Sequence, residues 1–193
     1  MSAATGVSRL HLLQRESRLE PTDVGCYKIE IEMKTKKSWR EKLADNKGLP
    51  RIGKVAGKLT RRWGTGTFVI PAPLEVDALM KQVPKGRVVT INELRAALAA
   101  RHKVNFACPI TTGIFSWIAA HAAAEAEAEG KKRITPFWRT LRTGGEVNPK
   151  YPGGVEGMAR RLGAEGHKIV QKGKRFFVPD YQRALFTKLH CAP

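Results

Sequence analysis

The residues of this chain that could do chemistry form two sets, and each points to a different kind of chemistry. Cys26, Cys108 and Cys191 are its three thiols. They make no CxxC pair and no even framework, which points to a reducing compartment without structural disulfides or a zinc site. Cys108 precedes Pro109 at the expected start of a helix, where unpaired amides and the helix dipole favour thiolate. No histidine or carboxylate stands beside it at a motif-like spacing, and free cysteines are commonly small buried hydrophobes. A structural role therefore leads, and an enzyme using Cys108 as a reactive thiol stays as the alternative. The second set runs from Ile134 to His167: Pro136-Phe137-Trp138-Arg139, Gly144-Gly145, Pro149-Lys150-Tyr151-Pro152-Gly153-Gly154 and Glu165-Gly166-His167. Glycine pairs admit positive φ and close approach of a ligand, while aromatics on the same loop supply stacking faces. That combination suits a flat ring such as a nucleobase. Phe137, Trp138, Tyr151, Gly153 and Gly154 are the expected base pocket, with Phe137 the stronger candidate for its wall and Trp138 for the core.

Positioning such a loop requires a packed domain before it. Thr67-Phe68-Val69-Ile70 ends at the stop Pro71-Ala72-Pro73, and Leu74, Ala78, Leu79 and Val83 repeat at helical spacing up to Pro84-Lys85-Gly86. Thr90-Ile91-Asn92-Glu93 has the spacing of a capping box, followed by Ile91, Leu94 and Leu98 on one face. Cys108-Pro109 opens a second helix that can run to Gly130, its apolar face carrying Ile110, Ile114, Trp117, Ile118 and His121. Thr111, Thr112, Gly113 and Ser116 lie near its start, small and polar, where a DNA groove or another backbone could come close. A helix pair of this kind is the helix-turn-helix pattern, and only the first two turns of its second helix suit DNA, because Glu125, Glu127 and Glu129 load the far end with negative charge. Val155, Met158, Ala159 and Leu162 predict a further helix. Ile169-Val170 and Phe176-Phe177-Val178 flank the basic tip Gln171-Lys172-Gly173-Lys174-Arg175, a wing-like hairpin. Residues 181–193 read as a closing helix anchored by Leu185 and Leu189.

Charge narrows the partner. Thirty-five Lys and Arg against 17 Asp and Glu give +18, a surplus that favours a polyanion, nucleic acid first. It is unevenly placed: residues 1–33 carry 4 basic and 5 acidic groups, residues 34–62 carry 11 and 2, and residues 63–193 carry 20 and 10. Residues 1–62 are thus expected to be a partly disordered extension. Its basic part, residues 34–62, reads either as an arm laid along a phosphate backbone or as a solvated tail. Met33 could be an original start. Residues 63–193 are expected to form one domain. Lys131, Lys132, Arg133, Arg139 and Arg142, with no acid between residues 131 and 142, are expected on the DNA side of the pocket loop. No apolar run approaches the ~20 residues of a membrane span and no signal-peptide core opens the chain. A cytoplasmic, DNA-associated protein without membrane contact is expected.

Arg87-Val88-Val89-Thr90, the helix pair, Pro136-Phe137-Trp138-Arg139, Tyr151 with Gly153-Gly154, and Glu165-Gly166 occur in the order and approximate spacing of a known domain. Over roughly residues 68–180, about three-fifths of the chain, the sequence resembles the DNA-binding domain of the methylguanine-DNA methyltransferase family. In that family the loop reads Pro-Cys-His-Arg, and its cysteine accepts the alkyl group of a flipped guanine, activated through the histidine and a buried glutamate. Here Phe137 and Trp138 hold those two places, so the chain resembles the alkyltransferase-like branch. The resemblance implies a small α+β domain of winged helix-turn-helix type that binds alkylated guanine in double-stranded DNA without repairing it. Repair proteins would be further partners, with no cofactor and no metal. It aligns Arg139 with the motif arginine, Glu165 with the buried glutamate and Gly113 with a small residue facing the groove. Ile110, Ile91 and Pro152 stand where the family carries an arginine, a tyrosine and a serine. Phe137 and Trp138 supply neither nucleophile nor proton relay, so alkyl transfer through this loop is excluded. A plain DNA-binding or regulatory module without base flipping is the other non-enzymatic reading.

Overall fold

The structure, a computed structural model, describes residues 37–57 and 60–190. The helices are α1 (Trp39–Ala44), α2 (Thr60–Trp63), α3 (Pro73–Lys81), α4 (Ile91–Arg101), α5 (Pro109–Ala128) and α6 (Gly154–Gly163). The strands are β1 (Arg51–Lys54), β2 (Thr67–Ile70), β3 (Val89–Thr90), β4 (Phe106–Ala107), β5 (Thr140–Leu141), β6 (Val170–Lys172) and β7 (Arg175–Phe177). Single 3-10 turns lie at Phe137–Arg139, Thr143–Gly145 and Tyr181–Ala184. The fold is α+β. In one sheet β2 is flanked by antiparallel β1 and parallel β4; β3 and β5 form a parallel pair, and β6 and β7 an antiparallel hairpin.

Helix α4 starts where its capping residues require. The Thr90 hydroxyl accepts from the Asn92 amide at 3.2 Å, and the Glu93 carboxylate accepts from the Thr90 amide at 2.9 Å. Leu94 and Leu98 then face inward and are fully buried, whereas Ile91 is half-buried. The core they enter is built from Val76, Leu79 and Met80 of α3, Val88 and Val89, Phe137, Leu141, and Met158 and Leu162 of α6. On α3 the buried face is Val76, Leu79 and Met80, while Leu74 and Ala78, expected inside, point outward.

Helix α5 is rotated relative to the sequence expectation. Its buried residues are Thr112, Ser116, Ala119, Ala120, Ala122 and Ala123, whereas Ile110 and Ile114 are 56 % and 46 % exposed. Small side chains let neighbouring backbones come close, and α1, α3 and α4 all pack on this helix. The hydroxyls that would be unsatisfied on such a face bond back along the helix, Thr112 to the Cys108 carbonyl at 2.8 Å and Ser116 to that of Gly113 at 2.9 Å.

Both ends of the described residues differ from expectation as well. Residues 37–54 are neither an extended arm nor a solvated tail. Ser38 and Glu41 cap α1, which packs on α5, and β1 pairs with β2 from Arg51 opposite Ile70 to Lys54 opposite Thr67. Among the described residues, 37–57 thus pack with the domain expected to start at residue 63. The expectations for residues 1–32, for Met33 as a start and for Cys26 and Cys191 lie outside the described residues. Residues 181–190 are a 3-10 turn followed by extended chain, not a closing helix. The Val88 amide donates to Ala184 and the Phe186 amide to Val88, so strand-like pairing satisfies the backbone that a helix would have satisfied internally.

The cap of α4 supplies the first test. Thr90→Ala should lower stability by about 1 kcal/mol, a fall in Tm of roughly 2–4 °C for a domain of this size, while Thr90→Ser should restore most of it. An unchanged thermal transition in Thr90→Ala would show that the cap contributes nothing.

Candidate functional site

Where α4 and α5 meet the loop at residues 142–150, they enclose a cavity of about 490 Å³. That lies within the range of small-ligand pockets, ~300–1,000 Å³. Ile91, Asn92 and Arg95 of α4 line one side, Pro109, Ile110, Gly113, Ile114, Ser116 and Trp117 of α5 a second, and Arg142, Thr143, Asn148 and Lys150 a third. The α5 wall is mostly apolar and the loop wall is polar and basic. Arg95 is held by a 3.0 Å bond from its Nε to the Ala107 carbonyl, and Arg142 by a 2.8 Å bond from Nη1 to the Glu146 carboxylate. A Cβ built on Gly113 would meet no atom within 4 Å, so the space beside it is open.

Tyr151 lies beneath this cavity, 2 % exposed, with a hydroxyl that makes no hydrogen bond. Its polar neighbours Ser116, Asn148 and Arg142 all line the cavity, standing beside the hydroxyl but outside bonding geometry. Burial pushes the phenol up to about 12, against smaller opposing effects of those three groups. The hydroxyl is therefore protonated at neutral pH, a donor without an acceptor, and such a group is costly to leave unpaired.

Behind the cavity the motif loop is fastened by one carboxylate. Glu165 accepts from Trp138 Nε1 at 2.8 Å, from Arg139 Nε at 2.9 Å and Nη2 at 2.7 Å, and from the Gly86 amide at 3.1 Å. Arg139 also donates from Nη1 to the Val83 carbonyl at 2.7 Å, tying the loop to the end of α3. Burial would raise the Glu165 carboxyl, but the bonds from Arg139, Trp138 and Gly86 outweigh it and hold the group below its ordinary value. The chain turns tightly twice between Arg139 and Glu165. Gly145 sits at φ 78°, where an added Cβ would lie 2.4 Å from the Tyr181 ring, and Gly153 at φ 77°, where it would lie 3.1 Å from Gly157.

The structure brings together only part of the expected site. Phe137 is 1 % exposed and packed edge-on against Trp138 and Tyr151, at 5.5 and 6.1 Å between centroids, so it belongs to the core and not to an accessible wall. Trp138 is half-buried, packed against the core and bonded to Glu165, so neither ring is a wall of this cavity. Gly153 and Gly154 line a different cavity, with Glu156, Ala159, Ile169 and Phe176. Of the small polar residues of α5, Thr112 is buried in the core, Ser116 is buried at the cavity, Gly113 lines it and Thr111 is partly exposed.

The expected row of cations is also divided. Lys131, Lys132 and Arg133 follow the far end of the 20-residue α5, which lies about 17 Å along the helix from Trp117, the last α5 residue to line the cavity. Arg139 is consumed by Glu165, and Arg142 alone of the five lines the cavity. Cys108 is 5 % exposed at the N-cap of α5, where its carbonyl accepts from Thr112, and it does not line the cavity. Sequence reasoning missed Asn92, Arg95 and Asn148, and named Lys150 only as part of the pocket loop, without a role. Arg95 had a usable signal, one turn after Ile91 on a helix whose start was legible, whereas Asn148 and Lys150 sit on a loop without periodicity. Among the described residues no cluster of His, Cys, Asp and Glu could hold a metal ion, and no helix is long and apolar enough to cross a membrane.

No protein-family model and no curated protein matches the chain. Among solved structures, it is similar to S. pombe Atl1 in complex with damaged DNA containing O6-carboxymethylguanine and to S. pombe ATL in complex with DNA. Each is 17 % identical with a TM-score of 0.43, over 59 % of this chain and 93 % of the other. A similarity of this size does not by itself assign a function.

Removing the carboxylate that anchors the loop gives the second test. Glu165→Gln leaves the Arg139 guanidinium largely buried without its counter-ion and should lower stability at neutral pH by about 3 kcal/mol. Because the folded-state pKa is depressed, the stabilisation is present above the ordinary value of 4.5 and is lost as pH falls through the folded value. Urea unfolding of both proteins at neutral pH and well below pH 4.5 should show the gap closing in acid. A gap independent of pH would assign the effect to packing instead.

Proposed function

We propose that this chain is a winged helix-turn-helix domain that binds double-stranded DNA and receives an everted base, preferentially an alkylated guanine, in the cavity between α4 and α5, without transferring a group. The observation that carries this reading is a cavity of about 490 Å³ rimmed by Arg95, Arg142 and Lys150, with the buried Tyr151 hydroxyl behind its lining residues Ser116 and Asn148. A half-apolar cavity of this size suits a base, and cations at its rim suit the flanking phosphates; the Tyr151 phenol, sealed from the cavity, would meet a carbonyl or ring nitrogen of that base only once Ser116 and Asn148 make way. On this reading α4 and α5 are the helix pair and the β6–β7 hairpin is the wing. The exposed Lys172, Lys174 and Arg175 at its tip would reach phosphates.

Ile110 and Ile114, one helical turn apart and exposed at the cavity rim, form an apolar edge. Such an edge suits insertion between base steps, since apolar wedges unstack duplexes in minor-groove binders. The non-catalytic character of the reading rests on the residues present. Phe137 and Trp138 have no nucleophile, and the Cys108 thiol is buried away from the cavity. Binding without repair would leave the lesion marked for repair proteins in a DNA-associated, cytoplasmic setting.

Affinity for duplex should fall by an order of magnitude or more between low and physiological salt, through counterion release. A flat salt response would remove the DNA reading. Tyr151→Phe separates stability from binding. Deleting an unpaired buried hydroxyl should leave stability unchanged or slightly higher, yet weaken binding to a duplex bearing one O6-alkylguanine by about fivefold, the worth of one hydrogen bond. Equal binding by the parent protein to alkylated and unmodified duplex would favour the plain DNA-binding alternative. Mass spectrometry after incubation with alkylated duplex should show no adduct, and an adduct on Cys108 that Cys108→Ser abolishes would establish an enzyme.

A further inference from the structure

Helix α1 has six residues and buries none of them completely. Helices this short do not persist in water alone, so α1 exists by virtue of what it docks on. Its docking site is the face of α5 next to the cavity. The Trp39 ring meets Trp117 edge-on with centroids 4.7 Å apart and stacks on His121 at 4.5 Å. Trp117 and His121 in turn both reach the Lys150 carbonyl, from Nε1 at 3.0 Å and Nε2 at 3.3 Å. Trp117 and Lys150 are walls of the cavity, and Lys150 immediately precedes Tyr151. Beyond the rings, the Glu125 carboxylate accepts from the Arg40 amide at 2.9 Å, capping α1 from α5, and Glu129 pairs with the Arg40 guanidinium.

From this geometry we infer that α1 is a clasp for the cavity and that Trp39 is a positioning residue, acting through Trp117 and His121 on the Lys150–Tyr151 segment. Docked, it holds the indole of Trp117 and the carbonyl of Lys150 in one arrangement. Undocked, it frees two walls at once, while the opposite wall on α4 and the Glu165 anchor behind the motif loop stay in place. Ligand binding and α1 docking are then linked, each favouring the other by the same factor. The proposal rests on the reading of the cavity as the ligand site, but its first consequence is observable in the free protein.

The test is hydrogen exchange on the full chain, following the Trp117 indole N–H and the amides of Lys150 and Tyr151 in the parent, Trp39→Ala and Trp39→Phe. Trp39→Ala should speed exchange at these positions by roughly tenfold, the worth of one to two aromatic contacts, and leave α6 unchanged. Trp39→Phe should recover most of the protection. Unchanged exchange at Trp117 and Lys150, or an equal rise throughout the chain, would overturn the clasp. Adding duplex with one O6-alkylguanine to the parent should in turn slow exchange in α1. If the duplex binds and α1 is unaffected, the linkage falls. If no duplex binds, the DNA reading falls, and the result in the free protein still decides whether Trp39 positions the wall.

Discussion

The carboxylate of Glu165 is the contact on which the site depends. It gathers the Trp138 indole, the Arg139 guanidinium and the Gly86 amide, so that the motif loop, the end of α3 and the turn after α6 share one acceptor. An anion this far from water is tolerable only because several donors converge on it, one of them charged. The consequence reaches the cavity, because with Trp138 and Arg139 directed backwards, Phe137 is driven into the core. The loop that follows then presents Arg142, Thr143, Asn148 and Lys150 to the open side. Residues that look like a pocket in sequence become the pocket's foundation.

Helix α5 organises the other side by an inversion of the usual pattern. Alanine, serine and threonine face the core, and the large residues are left for the rim and for α1. The stripe of small side chains allows close packing, and the same choice places Ile110, Ile114 and Trp117 together along one cavity wall. The acidic end of the helix also has a structural use. Negative charge at a helix C-terminus is unfavourable to the macrodipole, yet Glu125 and Glu129 hold Arg40 of α1, and Glu127 holds Arg161 of α6 at 2.6 Å. Those acids are cross-links between helices.

Local signals alone determined much of the chain. The capping box at Thr90 and Glu93, the stop at Pro71-Ala72-Pro73, the start of α5 at Pro109 and the basic-tipped hairpin involve residues a few positions apart, whose interactions do not depend on the rest of the fold. Charge pointed to a polyanion for the same reason, being a sum over the chain. Tertiary structure decided which face of α5 is buried, that residues 37–54 join the compact unit, and that residues 181–190 pair beside Val88 instead of forming a helix. It also separated Lys131, Lys132 and Arg133 from Arg142 and joined Arg95, Arg142 and Lys150 around one cavity. These outcomes turn on partners far away in sequence, such as Glu165 for Arg139 or Trp117 for Trp39. Spacing along a chain carries the geometry of one helical turn or one hairpin, but not which distant side chain will satisfy a buried charge or fill a gap between two helices.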